Sequence, residues 1–298
     1  MKKLFFIAGL ILLFAACSKE SENMVNNAQM EETTAPVRVH VRDFAVEMGD
    51  FSGFTRAAQD VADYNNVKAI TLAFYKGNTE VYKHEQIRDA LEEGETFGEF
   101  STTLPLGSYT MVVIARGHIE GDVFTLTSPT VAAYTGLSRE TFAYTQAVNI
   151  TNGDAVELSA TLNRIMAMLG TTSTDLRTAE ATNLRITFSA GGKSFNPTTG
   201  FATVNTGFTA TVPITMNVGT ITKLGTYVFL TAEEQTMDVT IETLDGEGNT
   251  IFSKTIHNVP FKRNRLTNLI GAMYTNDAVS ANSFKLNTSW LTNYEANF

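Results

Sequence analysis

The chain has 298 residues, 43% of them hydrophobic, which is enough length and apolar material for two packed domains and argues against a disordered polymer. Acidic residues outnumber Lys and Arg by 31 to 22 with no basic cluster to offset them, so a phosphate backbone finds no matching surface and nucleic acid is excluded as a partner. A single cysteine leaves no internal disulfide to brace the fold.

In chain order, Met1-Lys2-Lys3 is followed by an apolar run from Leu4 to Ala16. Two lysines and about a dozen apolar residues predict a secretory signal peptide, since a membrane-crossing helix needs ~20. The stretch Phe14-Ala15-Ala16-Cys17 resembles the lipobox of bacterial lipoproteins, with Phe14 where leucine is usual. That resemblance implies lipidation of Cys17, whose acyl chains give ~0.8 kcal/mol per buried methylene and attach the protein to the outer membrane. Residues 18–35 carry Ser, Glu, Asn, Gln and Met without an apolar period, as in a flexible tether. Their opening, Ser18-Lys19-Glu20-Ser21-Glu22, is similar to the export signals of Bacteroidota surface lipoproteins.

From Pro36 the period is two. Val37, Val39 and Val41 alternate with Arg38, His40 and Arg42, placing one face on a core and one in water. A short helical turn is expected within Arg56–Asp63. Ile70, Leu72 and Phe74 repeat the alternation, and Gly77-Asn78 marks a turn. His84–Glu93 carries Ile87, Ala90 and Leu91 at helical spacing ahead of Gly94, which predicts a helix. Tyr109–Ala115 is nearly all apolar, as a strand covered on both faces requires. Further strands are expected at Asp122–Thr127, Thr141–Ile150, Val156–Ala167, Leu184–Ser189, Phe201–Asn205 and Thr209–Met216. Later come Tyr227–Thr231, Met237–Leu244, Thr250–His257, Arg265–Tyr274 and Phe284–Trp290. More than a dozen strands without alternating helices predict an all-β protein of antiparallel Greek-key β-sandwiches. The polar turn Asn152-Gly153-Asp154 divides the folded region into two such domains, 36–153 and 154–298.

Catalytic and metal-binding patterns are sought in vain. His40, His84, His118 and His257 stand in no metal spacing, and there is no C-x-x-C, so neither metal nor cofactor is expected. Gly191-Gly192-Lys193-Ser194 looks like the end of a phosphate loop, but the position five before Gly192 is Thr187, and no helix follows; a hairpin turn is the expectation. Asp245-Gly246-Glu247-Gly248-Asn249 has acidic residues at calcium-loop spacing, yet Thr250 and Ile256 occupy the required Gly and Glu positions, leaving a hairpin connection. Glu92-Glu93 and Glu233-Glu234 are adjacent pairs whose side chains point apart. The sequence reads as that of a protein without enzymatic activity.

The segment Met237–Tyr274, with Val259-Pro260-Phe261-Lys262-Arg263-Asn264-Arg265-Leu266-Thr267 at its centre and Gly271 following, resembles the C-terminal domain of fimbrillin-type lipoproteins of Bacteroidota, which include fimbrial anchor and accessory subunits. Phe284-Lys285-Leu286 with Trp290, Thr55-Arg56-Ala57, and Leu162-Asn163-Arg164-Ile165 are similar to other parts of that family. The resemblance implies two transthyretin-like sandwiches in a surface fimbria, and partner subunits joined by β-strand addition. It also implies Arg56 as a possible proteolytic processing site, since a cut there would remove the strand at Val37–Val41. An anchor would keep that strand and its lipid. The alternative expectation is a lipid-anchored glycan-binding protein, using exposed aromatic residues.

Overall fold

The computed structural model describes residues 33–46, 57–275 and 285–287. In the first half the strands are β1 (Thr34–Val46), β2 (Ala57–Asp60), β3 (Ala69–Lys76), β4 (Thr79–Ile87), β5 (Glu99–Pro105), β6 (Gly107–Arg116), β7 (Phe124–Ser128), β8 (Val131–Tyr134), β9 (Thr141–Ile150) and β10 (Val156–Arg164). The second half contains β11 (Ala167–Leu176), β12 (Asn183–Phe188), β13 (Ser194–Phe195), β14 (Phe208–Pro213), β15 (Ile221–Val228), β16 (Glu234–Leu244), β17 (Thr250–Lys262), β18 (Leu266–Gly271) and β19 (Lys285–Asn287).

The protein is all-β. In the first sandwich β9-β6-β3-β4 faces a second layer in which β1 lies between β10 and the pair β5 and β2. The layers join at a corner, where β10 pairs with β9 at Asn163↔Ala143 and Arg164↔Phe142. Alternate residues of both layers meet in one core, among them Val37, Val39, Ile70, Leu72, Val113 and Leu162. The second sandwich stacks β15-β11-β18-β19 on β14-β12-β16-β17, with Leu169, Leu184, Ile186, Val239, Ile241 and Leu269 between them.

The expected two-sided burial of the Tyr109–Ala115 strand is present, because β3 and β6 are covered on both faces. Their outer residues Tyr75, Val112 and Ile114 pack under a three-stranded sheet, β13-β8-β7, with Phe195 and Phe229 of the second half. Phe195 and Phe229 stack at 4.3 Å between centroids. Since β13 pairs with β8, one small sheet is shared by both halves.

Several expectations are corrected. His84–Glu93 forms no helix: His84–Ile87 end β4, and Arg88–Ala90 form a single 3-10 turn. The hairpin through Gly77 aligns β4 on β3, and the period-two set Tyr82, His84 and Gln86 follows that pairing. Residues 57–60 are strand because β1 offers an edge to pair with, and the expected turn is confined to residues 61–63, where the Asp60 carbonyl accepts the N–H groups of Asp63 and Tyr64 at 3.1 Å and its carboxylate accepts that of Ala62 at 2.8 Å. The expected single strand Val156–Ala167 is two strands in different sandwiches. The passage between sandwiches comes at Ile165-Met166, after β10 has rejoined the first sandwich beyond the Asn152-Gly153-Asp154 turn. Two pairings are parallel, β1 with β10 and β11 with β18. In each case the intervening strands of the sandwich serve as the crossover that parallel pairing demands. Gly191–Lys193 is a passage from β12 to β13, which pairs with β8, and so not a hairpin. Phe201–Asn205 forms no strand beyond the bridge at Ala202. The Asp245–Asn249 hairpin forms as expected, its Asp245 carboxylate accepting the N–H groups of Glu247 and Asn249 at 2.9 and 2.8 Å.

Candidate functional site: the seat of the first strand

β1 is an interior strand built from a segment that precedes all the others. It pairs in parallel with β10 from Val37 to Ala45, and antiparallel with β5 from Thr34 to His40. Beyond that it pairs with β2 from Asp43 to Val46. Val37, Val39 and Val41 point into the core, and a register shift between Val41 and Asp43 changes the parity so that Phe44 points inward too. These four side chains are 0–4% exposed. At ~1.5–3 kcal/mol for each buried side chain of this size, lifting β1 out costs on the order of 10 kcal/mol unless another strand replaces it.

Polar clamps lie on the outer face. His40 lies between two carboxylates, Glu99 of β5 against Nδ1 and Glu157 of β10 at 3.0 Å from Nε2. Arg42 donates to the Ser159 hydroxyl at 3.2 Å, and Arg38 reaches Glu157 at 3.5 Å. Hydrogen bonds first to Glu157 and then to Glu99 raise the His40 pKa above the ordinary histidine value, against a smaller lowering by burial. At the bend, Val41 donates to the Gly98 carbonyl at 2.8 Å. Gly98 has φ +91, and a Cβ there would stand 3.0 Å from Val61, so glycine permits this close approach. Inside, Phe44 contacts Tyr64 and Phe142 with ring centroids 5.6 and 4.9 Å away.

The far edge of β10 is largely unpaired among the described residues. Among the described residues β10 pairs beyond β1 at Asn163 and Arg164 alone, leaving Val156–Leu162 without a strand on that side. The second sandwich repeats the arrangement with a difference. β11 lies parallel to β18, as β1 does to β10, but the far edge of β18 is occupied by β19 at Leu269↔Leu286 and its neighbours. The Asp175 carboxylate accepts the N–H groups of Met273, Tyr274 and Thr275 at 2.8–3.0 Å and fixes the path by which the chain leaves β18.

Cys17 and Arg56 both lie outside the described residues. The four histidines sit apart: His84 pairs with Glu95 at 2.6 Å, His257 with Asp238 at 2.8 Å, and His118 lies 3.2 Å from Arg116. Among the described residues no three His, Cys, Asp or Glu side chains are grouped to hold a metal ion, and no helix is long and apolar enough to cross a membrane. The motif segments Leu162–Ile165 and Asn264–Thr267 are brought together. Arg164 Nη1 donates to Asn264 Oδ1 at 2.9 Å, and Asn264, at φ +58, donates its N–H to the Met166 carbonyl at 2.7 Å. Nothing local in the sequence marks this contact, because Arg164 and Asn264 are 100 residues apart.

Residues 32–294 match a family of unknown function, DUF6562. No curated protein matches the sequence. Solved structures similar to this chain include a candidate adhesin from Bacteroides ovatus, at 12% identity and TM-score 0.48, covering 80% of this chain and 89% of that one. A candidate cell adhesion protein from Bacteroides fragilis has 14% identity and TM-score 0.47, with coverage of 87% and 99%. The fimbrial anchor protein Mfa2 from Porphyromonas gingivalis has 12% identity and TM-score 0.44, with coverage of 80% and 91%.

Proposed function

This chain belongs to the DUF6562 family, and from the seating of its first strand we propose that it is a structural subunit of a bacterial surface fimbria, held as a lipid-anchored base or accessory piece and without catalysis of its own. In this reading the acyl chains on Cys17 hold the protein in the outer membrane, the residues from Ser18 up to the start of β1 at Thr34 lift it clear of the surface, with Thr34 and Ala35 of the expected tether belonging to the strand itself, and the neighbouring subunit adds a strand to an open sheet edge. The observation that carries it is β1. This strand joins the tether directly to the middle of a sheet, so tension on the anchor runs along a strand paired on both sides. The largely unpaired edge of β10 lies in the same sheet, one strand away from the tether.

Retention of β1 separates an anchored base from a processed stalk subunit. Mass spectrometry of the protein taken from intact cells is expected to find an acylated Cys17 at the mature N-terminus. A mature chain that begins at Ala57, following a cut after Arg56, would overturn the anchored reading.

A further inference from the structure

On the open side of the first sandwich, between β4 and β5, lies a cleft of about 350 Å³, within the range of small-molecule sites. β1 contributes Arg38 to it, β4 contributes Tyr82 and His84, and β5 contributes Glu99 and Ser101, while Glu95 comes from the loop before β5. The walls are fixed from within. Glu95 accepts from the Glu92 N–H at 2.9 Å and pairs with His84 at 2.6 Å. Gln86, 2% exposed, accepts the Gly98 N–H at 2.8 Å and donates to the carbonyls of Thr96 and Glu99 at 3.3 and 2.9 Å. By contrast, the hydroxyls of Tyr82 and Ser101 have no hydrogen-bond partner among the described residues. The cleft is preformed, with polar capacity left over.

We propose that this cleft binds a neutral, hydroxyl-rich ligand, a mono- or disaccharide unit of a glycan. Charge decides the class. Glu95 and Glu99, with Glu157 behind them, repel an anion, and Arg38 beside His40 repels a cation. A sugar's adjacent hydroxyls donate to carboxylates and accept from phenol, serine and guanidinium together, and its C–H face packs on an aromatic ring such as that of Tyr82. Because Arg38 stands on β1, the cleft is complete while β1 is seated. The assignment does not rest on the fimbrial reading, and neither stands or falls with the other.

The test is titration of the folded chain with glucose, lactose and maltose, followed by NMR, with glucuronate as the charged counterpart of glucose. At least one neutral sugar is expected to produce saturating shifts at Tyr82, His84 and Ser101. Tyr82→Phe and Ser101→Ala remove a hydroxyl without filling the cleft, and each weakens that binding about fivefold while the rest of the spectrum stays unchanged. Absence of shifts at these residues with all three neutral sugars overturns the proposal. So does undiminished binding in both variants, or tighter binding of glucuronate than of glucose.

Discussion

His40 touches carboxylates on both strands that flank β1, and its protonation is coupled to holding that strand. Its pKa in the folded protein is raised, chiefly by the hydrogen bond to Glu157 and next by that to Glu99. The stabilisation is therefore fully present below the unfolded value of ~6.5 and is lost as pH rises through the higher folded value. Hydrogen exchange of the β1 amides, corrected for intrinsic chemistry, should show protection falling as pH rises above the ordinary histidine value of ~6.5. In His40→Gln that fall should vanish. A profile identical in the variant would assign the clamp no role. Carboxylates held low, such as Glu242 beside Arg185, act on the other limb: their contribution is lost as pH falls through their depressed values.

At the scale of the element, β1 holds by its inner face. Phe44 fills the space among Tyr64 and Phe142, and Phe44→Ala is expected to cost about 3–5 kcal/mol in urea unfolding. Arg42→Ala, on the outer face of the same strand, should change stability by less than about 0.5 kcal/mol. Equal effects from the two would mean that β1 is not packed as described. The alternation behind this contrast is plain in the sequence at Val37-Arg38-Val39-His40-Val41, and β9 falls at Thr141–Ile150 as the pattern predicts. Elsewhere local pattern is a poor guide. β5 was not foreseen because Phe100 and Leu104 flank a Ser-Thr-Thr run that dilutes the period. β10 and β11 read as one strand because the alternation passes Ile165-Met166 without a break. What divides them is Arg164, whose partner Asn264 is 100 residues away. The cleft was equally hidden: His84 stood out in the sequence as a histidine within an expected helix, but the loop carrying Glu95 and the strand carrying Arg38 meet it and Tyr82 through tertiary packing alone.

At the scale of the whole molecule, the two sandwiches share enough structure to unfold together. β13 pairs with β8 across the halves, and the apolar cluster of Tyr75, Ile114, Phe195 and Phe229 includes residues from both. Arg164 reinforces the junction. It meets Glu140 at 2.6 Å and donates to Tyr64 at 3.0 Å as well as to Asn264, while its guanidinium lies 5.1 Å from the Phe142 ring centre. Tyr64 donates in turn to Glu140 at 2.8 Å, and burial pushes its phenol up to about 12, so it remains a donor throughout the ordinary pH range. Phe142 and Tyr64 also contact Phe44, which ties the seat of β1 to the junction through one set of rings. Calorimetry of the chain should give a single transition whose calorimetric and van't Hoff enthalpies agree. Arg164→Ala leaves Glu140, itself 9% exposed, as an unpaired buried charge and should cost about 3 kcal/mol or more, lowering that one transition as a whole. Arg164→Ala combined with Glu140→Gln should recover part of the loss, because the stranded charge is gone. Two resolved transitions, with the substitution moving only one of them, would show that the halves fold independently and that the shared sheet and the Arg164 cluster do not couple them.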